Sequence, residues 1–329
     1  MKERRPYEPE AIWKEKDLSS GKTVDTMVAI LRTSGCSWSK TGGCTMCGYN
    51  AASVPQIDEN DLMRQLDSVM NRYESEPFVK IYTSGSFLDV GEIPIPVRER
   101  VFDEFSGCER LLFESRPEYI NGDVAGTLPK NTTVALGLES SDPVILRQSI
   151  RKGFTPDDSR KAGETIRDAG LSVRTYLLLK PLFVSEGQAI EDSISSGVFA
   201  DGYSNEISIN PLNIQRRTLA ERLWRRGEFR PPWIWSLIEA MEQLAGKTEA
   251  RIMSSPSGGG TYRGVHNCGE CDRKALKAVE KFSFTQNIKD LEVACRCKDK
   301  WNDYLKAERM LGSSADIERG IIDDLALGM

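Results

Sequence analysis

The 329-residue chain has a single histidine, His266. One imidazole excludes chemistry that needs two, including the H-E-x-x-H zinc hydrolases. No window offers the roughly 20 consecutive apolar residues of a membrane helix. The opening MKERRPYEPEAIWKEKD has no apolar run of the kind found in secretory signals. Positive charge is not in excess either. A formal net charge of −5 argues against an overall electrostatic grip on nucleic acid and leaves room only for a local patch. Repeats at solenoid periods are absent. These absences lead us to expect a cytoplasmic protein with no membrane segment.

What is present is cysteine, unevenly placed. Cys36, Cys44 and Cys47 form one group, Cys268, Cys271, Cys295 and Cys297 a second, and Cys108 stands alone in FDEFSGCERLLF, where a buried structural thiol is expected. In a reducing compartment such clustering points to metal rather than disulfides. A local basic patch is also present, because residues 215–230 carry six arginines against two glutamates. That stretch is either a solvated helix face or a phosphate-binding surface.

The pattern along the chain is α/β. MVAILRT, FVKIYTS, RLLFES, TVALGLE, VRTYLLL and EISIN are short and rich in apolar or branched residues, as buried parallel strands are. Helical patterns separate them: Leu62, Leu66, Val69, Met70 and Tyr73 recur at helical spacing, and TPDDSRKAGETIRDAG, SEGQAIEDSISSGVF and RTLAERLWRR follow. Thr155, Pro156 and Asp158 are placed as cap, first-turn proline and reciprocal acid. Six strand–helix units are too few for a closed eightfold barrel, so the expected architecture is an open, partial (β/α)6 barrel with loops at the strand C-termini carrying function. PPWIWSLIEAMEQLAG reads as a proline-started helix with Trp233 and Trp235 in a core or interface. We expect an N-terminal extension over residues 1–22, a barrel over 23–255, a glycine-rich joint over 256–264, and a small cysteine-rich domain over 265–329.

The first cysteine group, in GCSWSKTGGCTMCGYN, has the spacing C-x7-C-x2-C and directly follows the first expected strand. Three thiolates are one short of a closed tetrahedral site. Either folding brings a remote fourth ligand, or the group holds a four-iron cluster with one iron left open. S-adenosylmethionine could ligate that iron through its amino and carboxylate groups. The second group, HNCGEC followed by CRC, offers four thiolates suited to a closed zinc site stapling a unit with little core of its own. A second iron–sulfur cluster, or His266 replacing one thiolate, are the alternatives.

With these residues in view, the chain resembles the radical S-adenosylmethionine superfamily, and within it the Elongator-like branch, where the first cysteine interval is also long. The resemblance implies a [4Fe-4S] cluster on Cys36, Cys44 and Cys47 and S-adenosylmethionine beside it. Met46 would pack the adenine. Ser84, Gly85 and Ser86 in YTSGSFLD would meet the methionyl amino group, although the usual glutamate of that motif is missing. Glu114 in ESRPEYI would hold the amino-acid end, and Glu139 in LGLESSD the ribose hydroxyls. Arg151 or Lys152 in SIRKGFT would pair with the carboxylate.

A narrower resemblance, carried by YLLLKPLFVSEGQAIEDS, by SINPLNIQRRTLAERLWRRGEFRPPWIWS and by RGVHNCGECD, is to the radical-subunit family of archaeosine synthases, over roughly residues 23–301. It implies a radical lyase acting on tRNA. A 7-deazaguanine base bearing a lysine, attached by a lysine-transferring archaeosine synthase partner subunit, would lose the lysine carbon skeleton and keep the nitrogen. An electron donor is implied as well. Lys180, Asn210, Asn213, Gln215, Arg216 and Arg217 are the candidate substrate contacts, with the arginines and the cysteine-rich tail gripping tRNA phosphates.

Overall fold

A computed structural model describes residues 5–311. Residues 1–4 and 312–329, with the outer ends of the expected N-terminal extension and cysteine-rich domain, lie outside the described residues. The chain starts with a hairpin. β1 (Ala11–Ser19) pairs antiparallel with β2 (Lys22–Ile30). Between them Ser20 and Gly21 both have positive φ, the conformation of a two-residue hairpin turn whose twist matches the strands. The remaining strands are β3 (Phe78–Tyr82), β4 (Arg110–Ser115), β5 (Thr132–Glu139), β6 (Ser172–Leu179), β7 (Glu206–Pro211) and β8 (Arg251–Met253).

The strands follow chain order, β1 to β8, in one sheet, and the pairs β2–β3, β3–β4, β4–β5 and β7–β8 are parallel. This is the topology of a partial α/β barrel. The six expected strands are β2 to β7, and the hairpin strand β1 and the short β8 are additions at the two edges.

The helices are α1 (Glu59–Met70), α2 (Ile95–Glu104), α3 (Gly122–Thr127), α4 (Pro156–Asp168), α5 (Glu186–Asp201), α6 (Leu219–Arg225), α7 (Ile234–Ala245), α8 (Asp272–Thr285) and α9 (Cys297–Leu311). Local sequence fixes several starts. Asp58 and Asp61 close a reciprocal cap on α1, Ser185 and Gln188 do so on α5, and the Thr218 side chain accepts from the Glu221 amide at the head of α6. Among the described residues no helix is long and apolar enough to cross a membrane.

The chain divides into two compact units. The first comprises the described residues up to Gly43, then Tyr49–Gly137 and Asp157–Arg174. Its core is built from β2, β3 and β4 through Met27, Val28, Val79, Ile81, Leu111 and Leu112, with Phe87 stacked on Phe113 at 4.5 Å. At the foot of the strands the buried Lys80 pairs with Glu15 at 2.6 Å and Asp17 at 2.8 Å, and Arg174 adds a contact to Asp17 at 3.2 Å. Removing Lys80 would take the closer of these two cations from the buried Asp17, a costly loss in a desolvated site.

The second unit comprises Cys44–Gly48, Leu138–Pro156 and the described chain from Thr175. Its core joins α5 and α7. An added Cβ at Gly197 on α5 would lie 2.4 Å from the Leu244 side chain, so this glycine is what lets the two helices approach. Trp235 is buried, as read from the sequence, and its indole N–H donates to Cys297 Sγ at 3.2 Å.

Candidate functional site and metal centre

In the first unit, the loop after β2 delivers Cys36. Its carbonyl accepts from both the amide and the hydroxyl of Ser39, at 3.0 and 2.6 Å, which starts a tight turn. The loop after β3 comes up against it. A Cβ built on Gly85 would lie 2.7 Å from both Cα and Cβ of Cys36 and 2.6 Å from Glu92 Oε2. Only glycine fits here, because the Cys36 contact includes backbone.

Glu92 is the residue that sequence reading missed. Its Oε1 accepts from the Thr33 hydroxyl at 2.6 Å and from the amides of Ser84 and Gly85, each at 3.0 Å, and its Oε2 accepts from the Ser86 amide at 2.7 Å. One buried carboxylate therefore orders the whole glycine turn. Burial pushes its pKa up, opposed by the Thr33 and Ser86 hydrogen bonds. The signal available was the acid closing GSFLDVGE, a few residues past the turn it serves. With the three amides spent on Glu92, the turn has its carbonyls to offer a donor. Ser86 Oγ accepts from the Arg116 amide at 2.8 Å, and the Glu114 carbonyl accepts from the Phe87 amide at 2.8 Å, which ties the β3 and β4 ends together.

In the second unit, the segment carrying Cys44, Met46 and Cys47 is held on two sides. The Thr45 amide donates to the Ile150 carbonyl at 3.1 Å and its hydroxyl to the Ser149 carbonyl at 2.6 Å. From the other side the Leu219 amide donates to the Thr45 carbonyl at 3.0 Å, and the Gly48 amide donates to Gln215 Oε1 at 2.6 Å. Ser149 and Ile150 end a single π-helical turn, Ile145–Ile150, closed by Arg151 in the left-handed region. Such turns recur at functional sites. Glu139 and Lys152, both expected at the cofactor, meet each other at 2.7 Å.

The other expected contacts are spread out. Lys180 is buried and pairs with the fully buried Glu186 at 2.6 Å, and Glu186 also accepts from the Trp233 amide and the Ser236 hydroxyl. Asn210 accepts from the Ser208 hydroxyl, and Asn213 lies beside Gly258. Arg216 and Arg217 are exposed. Glu139, Arg151, Lys180 and Arg217 all have positive φ, which non-glycine residues keep only where the surroundings enforce it.

Behind Glu139 the Ser140 hydroxyl donates to Asp192 Oδ1 at 2.7 Å, and the Ser196 hydroxyl does so at 3.3 Å. Burial raises the Asp192 pKa to about 6, against the Ser140 bond and with Asp142 adding to the rise. The folded state therefore binds this proton more tightly than the unfolded chain, and stability from this group grows as pH falls from 7 toward 4. Asp192→Asn should raise the melting temperature at pH 8, and the gap to wild type should shrink as pH drops through 6; thermal scans across pH check this.

The tail brings together four thiols in an arrangement that could hold a metal ion. The ligand atoms of Cys268, Cys271, Cys295 and Cys297 lie within 4.8 Å of one another, with Sγ separations of 3.8 Å (268–271), 3.9 Å (268–295) and 3.5 Å (271–297). A tetrahedral ion with metal–sulfur bonds of about 2.3 Å sets its sulfurs about 3.8 Å apart. The spacing thus fits one ion. A four-iron cube, giving each cysteine its own iron, needs wider spacing. The donors sit at helix starts: Cys271 caps α8 and Cys297 begins α9. Asp272 accepts from the amides of Asn267 and Gly269 and shapes the turn between Cys268 and Cys271. Burial and the neighbouring sulfurs push the Cys297 thiol above its ordinary value, which a bound cation would reverse. His266 turns its Nδ1 to the Gly264 carbonyl at 2.8 Å and is not among the grouped ligands. None of the eight cysteines is in a disulfide.

No family model matches the chain. Archaeosine synthase subunit beta of Methanosarcina acetivorans is 44% identical over 315 residues, which is 92% of this chain and 91% of that protein. The protein of the same name from Thermococcus kodakarensis is 37% identical over 94% of this chain and 97% of its own length. Among solved structures, the N-terminally deleted Elp3 of Methanocaldococcus infernus aligns at a TM-score of 0.48 with 19% identity, over 76% of this chain and 62% of that one.

Proposed function

The chain belongs to the archaeosine synthase subunit beta family, and from that premise we propose that it is the radical S-adenosylmethionine subunit that completes archaeosine in tRNA. The observation that carries the reading is the near full-length match. At 92% coverage too few residues remain outside it to exclude either cysteine group. As a lyase, the chain would cut the lysine C–N bond of a lysine-bearing 7-deazaguanine and leave the nitrogen on the base.

The residues suit the cofactors. Cys36, Cys44 and Cys47 would hold a [4Fe-4S] cluster, and Gly85, by lacking a Cβ, allows close approach to Cys36. Bound there, the cluster and S-adenosylmethionine would supply an oxidant strong enough to remove hydrogen from an unactivated carbon. This chain's residues orient that cofactor. Carbonyls of the Ser84–Ser86 turn would accept from its amino group, with Glu92 fixing their direction. Glu114 would hold the amino-acid end, Glu139 the ribose hydroxyls, Arg151 or Lys152 the carboxylate, and Met46 the adenine. Lys180, Asn210, Asn213, Gln215, Arg216 and Arg217 are the proposed substrate contacts, with Lys180 already compensated by Glu186.

The tail site would hold structural zinc, since four thiolates at mononuclear spacing leave no open position for substrate. Other parts of the reading are a lysine-transferring partner subunit, a low-potential electron donor and a cytoplasmic setting that keeps the thiols reduced.

Metal analysis of Cys44→Ala after anaerobic reconstitution tests the assignment. Iron should fall to near zero and 5′-deoxyadenosine formation with it, while one tail metal per chain remains. Full iron loading and 5′-deoxyadenosine formation in that variant would refute the cluster assignment.

A further inference from the structure

Gln215 occupies an unusual position. Its Oε1 accepts from the amide of Gly48, the residue after Cys47, at 2.6 Å. The contact is close enough that a Cβ on Gly48 would lie 2.7 Å from Gln215 Cβ and 3.1 Å from the Arg216 carbonyl oxygen. The amide orientation is fixed, because a backbone N–H can face only the oxygen end of a carboxamide. The two hydrogens of Nε2 therefore point away from Gly48, and no described protein acceptor takes them.

The segment that carries Gln215 is rich in arginine, although Arg225 pairs with Glu221 and Arg226 with Glu228. Arg216 and Arg217 follow directly, both exposed, with Arg222, Arg225 and Arg226 exposed along and just after α6. The loop is built rather than loose. Glu221 accepts from the Arg217 amide at 2.8 Å, from Arg263 at 2.9 Å and from Arg225 at 3.1 Å. Those bonds, led by the Arg217 amide, hold the Glu221 carboxyl down at about 2, so it stays charged at any working pH. Arg217 keeps a left-handed backbone conformation there.

We propose that Gln215 is a positioning residue that reads a backbone phosphate of the tRNA with its amide hydrogens while its oxygen holds the loop of Cys44 and Cys47, so that RNA seated on Arg216 and Arg217 steadies the cluster-bearing loop. The inference rests on the tRNA reading above. A phosphate oxygen is acceptor-only, which matches two N–H donors without a described protein acceptor, next in sequence to two exposed arginines. The Gly48–Gln215 bond is one of those that hold residues 45–48, and its side chain belongs to the segment that continues into Arg216 and Arg217.

Two variants separate the halves of this role. Gln215→Glu keeps an acceptor for Gly48 and loses the donors; Gln215→Ala loses both. In the reconstituted chain, hydrogen exchange at the Gly48 amide should be at least about tenfold faster in Gln215→Ala and close to wild type in Gln215→Glu. Affinity for a tRNA transcript should fall about tenfold in both, since a carboxylate repels phosphate and alanine cannot donate. In wild type, added tRNA should slow Gly48 exchange further, and Gln215→Glu should lose that response. A Gln215→Glu chain that binds tRNA as wild type does, with the same slowing at Gly48, overturns the inference and leaves the wider function standing. Failure of the wild-type chain to bind tRNA removes the tRNA reading and the inference together.

Discussion

Gly85→Ala should strip iron from the N-terminal cysteines while leaving the fold and the tail metal in place. The new methyl group would sit 2.7 Å from Cα and Cβ of Cys36 and 2.6 Å from Glu92 Oε2, closer than nonbonded carbon and oxygen atoms approach. A flexible side chain could move aside, but Cys36 Cα cannot move without carrying its thiolate with it. Glu92 is equally constrained, because three amides and a hydroxyl converge on it. Displacing a ligand's support costs metal sites about 10–100-fold in affinity, so iron per chain after reconstitution should drop about tenfold or more. Gly126→Ala is the control. It lies in α3 with nothing within 4 Å of an added Cβ, and should load iron as wild type does.

The second large effect is at the other cysteine group. Cys271→Ala should empty the tail site and lower the melting temperature by about 10 °C, the equivalent of a few kcal/mol in a chain of this size. Cys271 and Cys297 begin α8 and α9, and Cys297 Sγ also receives the indole N–H of buried Trp235. One ion held there would join two helix starts to the α7 core. Without that metal both starts would be freed and the indole would lose a thiolate acceptor. Iron at the N-terminal group should persist in the variant. Metal analysis with thermal scans checks both halves, and joint loss of iron and tail metal would show that the two sites are not separate.

The sequence showed β2 to β7 clearly because each contains a short stretch rich in apolar or branched residues, most of it buried. It hid β1, whose AIWKEKDLS alternates with charge and looks like a surface segment until Lys80 is found between Glu15 and Asp17. It hid β8, which is three residues long. The cysteine tail was legible as a metal site from spacing alone, since ligand type and interval are local. Glu92 was visible only as the acid closing GSFLDVGE, because it gathers amides that precede it by six to eight residues through a turn and local sequence does not mark its burial. Lys180 read as a cation at a strand end. Its partner Glu186 sits inside the capping-box helix start of α5, where an acid is expected for helix reasons and its burial cannot be seen. Gln215 was picked out for its position after β7, while its bond to Gly48 connects residues far apart in the chain and leaves no trace in either segment.

The most direct measurement is anaerobic turnover of a tRNA carrying the lysine adduct, with S-adenosylmethionine and a strong reductant, followed by mass spectrometry of the base. The lysine mass should be lost with one nitrogen retained, giving archaeosine, and 5′-deoxyadenosine should accumulate in step with it. An unchanged adduct, with 5′-deoxyadenosine formed equally with or without that tRNA, would contradict it.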